Sequence, residues 1–232
     1  MQLLIKFTRS CIEMNRFYCV LGFCFALMPL KGQVGIKIVT SLAQYKLSET
    51  VSNEKLFSTK AGLGIDYWFR LKKYRLEVLP AIHFQTASEE LVLNDQSIGV
   101  LNWSFIDFAP GFQVYPLDFN NDCQCPTFSK QGKFIKKGLF VQLAPGIGRS
   151  VLSSNTIQGT SATDWVGFVR LGVGLDIGLS DLITWSPSVS YQLSQSLDWS
   201  PFFQSLSSTN LRINNGLFLA ARFGFRMDKK RY

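Results

Sequence analysis

The chain has 232 residues, a formal charge of +8, 20 Phe and only 17% charged residues. That balance excludes a disordered chain and a lysine-rich nucleic-acid tail, and the length suits one domain or a small pair. A mean hydropathy of +0.12 is too low for a bundle of membrane helices and high for an ordinary soluble domain.

Residues 17–30 form an apolar run preceded by Arg9 and Arg16 and followed by Lys31-Gly32-Gln33. A spanning helix needs roughly 20 apolar residues, so the run is short for an anchor. A basic flank, a short apolar core and a small residue at its end are the layout of a secretory signal peptide. The expected leader is 1–32, with cleavage after Gly32 or Gln33, an uncleaved anchor being the alternative. Met14 offers a more compact start than Met1. Leader removal takes away Lys6, Arg9, Arg16, Lys31 and Glu13, and with them Cys11, Cys19 and Cys24. The remaining domain, 33–232, would carry +5 and only Cys123 and Cys125, which excludes a disulfide framework.

From residue 34 onward the pattern has period two, in eight segments: 34–46, 60–70, 74–86, 104–116, 139–150, 165–178, 182–193 and 211–227. In 60–70, Ala61, Leu63, Ile65, Tyr67 and Phe69 alternate with Lys60, Gly62, Gly64, Asp66 and Arg70. In 165–178, Trp165, Val169, Leu171, Val173 and Ile177 face away from Arg170, Gly172, Gly174 and Asp176. A soluble sandwich or lipocalin-like carrier would turn a Lys-, Glu- and Thr-rich face to water. Here the second face is Gly, Ala and Ser with some Arg and Asp, which suits a crowded interior. The apolar face is large and carries aromatics near segment ends: Tyr67, Phe69, Trp165, Trp185 and Phe225. The pattern predicts an all-β, eight-stranded antiparallel up-and-down transmembrane barrel with an apolar outer band and a polar interior. Connections two and six are short, at Leu71-Lys72-Lys73 and Leu179-Ser180-Asp181. Connections one, three, five and seven are read as polar loops of about ten residues or more, which places both termini at the periplasmic end. The fourth connection, 117–137, is long on the side where turns should be short.

The leader ending Lys-Gly-Gln, the eight alternating segments and the last strand (GLFLAARFGFRM) resemble small outer-membrane β-barrels. The broad comparison is with OmpA and OmpX, and the chain looks closer to the PorT-like outer membrane β-barrel group of Bacteroidetes-type bacteria. That group has mid-strand prolines similar to Leu79-Pro80, Ala109-Pro110-Gly111 and Ala144-Pro145-Gly146. The resemblance covers nearly all of 34–227 as a pattern of residue types. It implies a porin-like outer-membrane location, with a secretion or gliding complex as a setting. The chain departs from the pattern after the aromatic strand, continuing through Asp228 to Tyr232, which bears on recognition by the barrel-assembly machinery.

Four prolines, Pro80, Pro110, Pro145 and Pro187, fall on the apolar faces of different segments. Proline removes a ladder bond, so they are read as a shared kink or bulge level in the wall. The inward face would hold a charge network of Lys37, Lys60, Arg70, Arg75, Arg170, Arg212, Arg222 and Arg226 against Asp66, Glu77, Asp107 and Asp176, with His83 beside them. An eight-stranded barrel is just wide enough for side chains to fill it, and buried charges must pair. The expected arrangement is a salt-bridge plug, with a narrow anion-preferring path as the sharper alternative. His83 lacks a serine at His-x-Ser spacing, so it is read as a hydrogen-bonded interior group rather than a catalyst. Cys123-Gln124-Cys125, in the fourth connection, is a candidate redox pair, either a strained disulfide or free thiols. One histidine and two cysteines are too few for a four-ligand metal site, so no metal and no cofactor are expected.

The connections at the periplasmic end sum to about +5 and those at the other end to about −5. The basic end would face phospholipid phosphates or an acidic partner, or form a solvated collar. Asp198-Trp199-Ser200-Pro201-Phe202-Phe203 makes the seventh connection the most contact-prone. The function expected is non-enzymatic, structural or surface-interacting, in the bacterial outer membrane. The partners expected are outer-membrane lipid, the barrel-assembly machinery during biogenesis, and a periplasmic or surface protein, with no nucleic acid. The alternative is a small pore or an accessory of a secretion or gliding complex.

Overall fold

The computed structural model describes residues 33–42, 45–46, 55–56, 59–71, 76–93, 96–118, 138–154, 161–180, 182–195, 212–213 and 216–226. The leader 1–32, Cys123, Cys125, Arg75 and nearly all of the fourth connection lie outside them. The strands in chain order are β1 (Gln33–Leu42), β2 (Tyr45–Lys46), β3 (Lys55–Leu56), β4 (Lys60–Leu71), β5 (Leu76–Leu93) and β6 (Gln96–Val114). They continue with β7 (Leu139–Ser154), β8 (Ser161–Leu175), β9 (Ile177–Gly178), β10 (Ile183–Ser194), β11 (Arg212–Ile213) and β12 (Gly216–Arg226).

Eight staves, β1, β4, β5, β6, β7, β8, β10 and β12, pair antiparallel with their neighbours, β9 continuing β8. The barrel closes where β12 pairs with both β1 and β10, from Gln33↔Arg226 on one side to Ile183↔Phe225 on the other. Closure leaves no edge within the wall, which a lipid environment requires because nothing there can satisfy unpaired backbone groups. A separate small sheet, β11-β2-β3, joins the first and last connections at the end opposite the termini.

Alternation fixes which side chains leave the wall. Ile38 is 54% exposed, Leu63 61%, Trp165 63% and Val173 53%, whereas Lys37, Asp66, His83 and Arg170 are all below 10%. On β5 the apolar outward set runs from Leu76 to Phe84 and gives way to Thr86, Ser88 and Glu90. At about 3.3 Å per residue and a tilt near 45°, that band is ~20 Å tall, close to the apolar belt of outer-membrane barrels.

The third connection is not a loop of ten residues. β5 continues to Leu93 and β6 begins at Gln96, paired Leu93↔Gln96. Below it, β4 stops pairing at Ala61↔Thr86 and β7 at Leu101↔Ser154, so the upper β5–β6 hairpin rises clear of both flanking strands. The register shifts between Leu91 and Val92, where Gly99, opposite Leu91, takes φ 149°, a conformation only glycine holds without strain. The segments read from the sequence stop at 86 and resume at 104, whereas the strands run on: outward positions turn polar at Thr86, Ser88 and Glu90, which marks departure from the apolar belt rather than the end of the strand.

All four wall prolines coincide with interruptions of the ladder. β4–β5 pairing passes from Asp66↔Ala81 to Phe69↔Val78, beside Pro80. β6–β7 pairing passes from Phe108↔Ile147 to Phe112↔Leu143, across both Pro110 and Pro145. Pro187 stands where β10 changes partner from β8 at Ser188↔Gly174 to β9 at Trp185↔Ile177. Each strand runs on through its proline, so the missing N–H opens the ladder locally without ending the strand.

Candidate functional site

Among the described residues, chemistry-bearing side chains converge in the lumen, which is layered along the barrel axis. Nearest the termini, the Tyr115 hydroxyl stands 2.6 Å from both Glu77 Oε2 and Asp176 Oδ2. Trp68 Nε1 donates to Glu77 at 2.7 Å and the Ser186 hydroxyl donates to Asp176. In the middle, Arg222 Nε donates to both oxygens of Asp66 at 2.9 Å, and Lys37 Nζ stands 3.6 Å from the same carboxylate. Across from it, Asp107 accepts from Arg170 through Nη1 at 3.2 Å and Nη2 at 2.8 Å, and from His83 Nδ1 at 2.8 Å. Toward the opposite end the Lys60 ammonium lies 4.8 Å from the centre of Trp103, whose indole donates to Ser150.

Among the described lumen side chains, Lys37, Lys60, Arg170 and Arg222 balance Asp66, Glu77, Asp107 and Asp176 in number, and every one of the eight is buried. The alternation of the sequence places four more cations inside. Arg75 and the side chains of Arg70, Arg212 and Arg226 lie outside the described residues.

Sequence reasoning missed the aromatic part of the filling. Trp103, Phe105, Phe140, Phe168 and Phe218 are inward and buried, so the second face is not only small and charged residues. The Arg170 guanidinium lies over two of these rings, 4.2 Å from Phe168 and 4.1 Å from Phe218, while Nη1 and Nη2 donate to Asp107. Cation–π contact with two rings and hydrogen bonds to one carboxylate restrict where the guanidinium can sit. Glycines on the same face make room for this filling. A Cβ on Gly148 would strike Phe105, one on Gly146 would strike Phe168, and one on Gly174 would strike Phe140. On Gly35 a Cβ would lie 2.6 Å from Asp66 Oδ1 and Arg222 Nε. The available signal was this run of glycines, since a wall glycine implies a large neighbour.

His83 packs edge-on against Phe218 at 5.8 Å. Its Nδ1 faces a carboxylate and so carries the proton, while Nε2 is buried without a hydrogen-bond partner. Among the described residues no serine hydroxyl bonds to either ring nitrogen, so the Asp107–His83 pair lacks the nucleophile of a hydrolytic triad. A cavity of ≈ 20 Å³ adjoins this layer, bordered by Lys37, His83, Arg170 and Arg222. That is room for about one water-sized guest.

No family model matches the chain, and no curated protein matches it. Solved structures similar to it are barrels. Ail, the attachment invasion locus protein of Yersinia pestis, solved with the heparin analogue sucrose octasulfate, is 14% identical, with 84% of this chain and 100% of that chain covered and a TM-score of 0.47. Neisserial surface protein A is 8% identical over 84% and 97%, with a TM-score of 0.44. The N-terminal β-barrel domain of Pseudomonas aeruginosa OprF is 13% identical over 84% and 100%, with a TM-score of 0.37.

Proposed function

We propose that this chain is a non-enzymatic protein of the bacterial outer membrane, a lipid-embedded barrel with a structural or surface-interaction role. The observation that carries the reading is the contrast between the two faces of one wall. The outside is a belt of exposed Ile, Leu, Val and Phe, and the inside is filled by paired charges and stacked rings. A wall of this kind is stable in hydrocarbon, and its filled lumen serves as a structural plug. Function is then carried by the connections at the end opposite the termini and by the rising β5–β6 hairpin. The leader would direct export, the barrel-assembly machinery would insert the chain, and a surface or periplasmic protein would be the partner.

Two measurements test this. Membrane fractions run on SDS gels with and without boiling should show a faster- or slower-moving folded form that boiling abolishes. A detergent-free soluble protein with no mobility difference would overturn the reading. In planar bilayers the purified barrel should give no single-channel steps, whereas regular conductance steps would favour the small pore or transport accessory.

A further inference from the structure

The middle layer of the lumen holds three fixed cations and two carboxylates. Arg170 is matched by Asp107. Arg222 and Lys37 share Asp66, which Arg222 engages at 2.8–2.9 Å and Lys37 only at 3.6 Å. All five side chains are at least nine-tenths buried. Of the remaining carboxylates, Glu77 is engaged by the Tyr115 hydroxyl nearer the termini, and Asp176 by Tyr115 and by Ser186. A surplus buried charge is costly unless something of opposite sign stands beside it.

The adjoining cavity has the chemistry to supply that partner. Lys37, Arg170, Arg222, Ser188, Ser190 and Ala220 are among the residues that border it, and none of its lining residues is a carboxylate. Asp66 and Asp107 stand behind the cations they pair with. Arg222 Nη2, although within ion-pair distance of Asp66, is buried and makes no hydrogen bond there, so a donor remains for a guest. At ≈ 20 Å³ the space suits a single small atom or water and is too small for phosphate or a carboxylic acid. One negative charge matches the surplus, and two would overshoot it. We propose that the lumen binds one monovalent monatomic anion of the halide class, held by Lys37 and Arg222 with a serine hydroxyl from β10. This site is independent of what the surface connections bind.

The test is to soak crystals of the folded barrel in bromide and collect data at the bromine absorption edge. The result expected is an anomalous peak inside the barrel, within hydrogen-bond distance of Arg222 and Lys37. In solution, the chloride NMR line should broaden with wild-type barrel and narrow again as bromide competes. Lys37→Met removes the surplus charge and leaves the Arg222–Asp66 pair, so both signals should fall to background. Ala220→Leu fills the cavity and keeps every charge, and should also abolish both. Cold SDS mobility establishes that each variant is folded, and the wild-type soak decides the matter even if neither variant folds. Bromide found only on the outer surface, or a water bonded to His83 Nε2 with no anomalous signal, would overturn the proposal.

Discussion

Arg222 and Asp66 lie 156 residues apart in the chain and meet in the lumen, Nε of one bonded at 2.9 Å to both oxygens of the other. Their strands, β12 and β4, are not neighbours. β1 stands between them, and Gly35 on β1 has no side chain to obstruct the contact. The ion pair therefore crosses the seam where the first and last strands close the barrel.

Breaking that pair should be among the costliest single changes in the lumen. Asp66→Asn leaves Arg222 and Lys37 buried without the carboxylate they share, a loss of ~3–5 kcal/mol. Urea unfolding of the refolded barrel in lipid vesicles, followed by tryptophan fluorescence, would measure it. A change below about 1 kcal/mol would mean that water reaches the pair.

The two partners of Asp107 should not be equivalent. Arg170→Met removes its only fixed cation and should cost ~3–5 kcal/mol. His83→Ala leaves the Arg170 contacts in place and should cost about 1–3 kcal/mol, the penalty for a hydrogen bond lost in a buried site. The same unfolding assay orders them, and a larger effect at His83 would contradict the arrangement described.

The wall glycines make a prediction about packing. Gly174→Leu places a side chain where the Phe140 ring lies and should abolish the folded band on cold SDS gels. Adding Phe140→Ala should restore it in part. Val173→Leu, one residue away on the outer face, should fold normally.

The outer face can be probed by depth. Ile38→Arg and Val173→Arg place a charge in the apolar belt and should cost ~2–4 kcal/mol each. Thr163→Arg, on the same outward series beyond Trp165, should cost about 0–1 kcal/mol. Equal costs at the three positions would mean that this surface does not face lipid.

The sequence by itself determined the eight staves, their alternation and the choice of outward face, because each is a local property of a period-two chain. Leu63 and Ile65 face out, and Gly64 and Asp66 face in, whatever the neighbouring strand is. It also marked the four prolines as breaks in the ladder of a continuing strand. Only the tertiary structure decided what the inward residues meet. Shear brings Arg170 of β8 over Phe218 of β12 and against Asp107 of β6, and no spacing in the chain encodes that stagger. It also decided that β5 and β6 continue past the belt to Leu93 and Gln96. Polar alternation beyond the membrane reads locally as loop, and cross-strand pairing alone makes it strand. The buried aromatics were hidden for the same reason. A Phe on the inward face looks like a break in the pattern until the glycine opposite it is known.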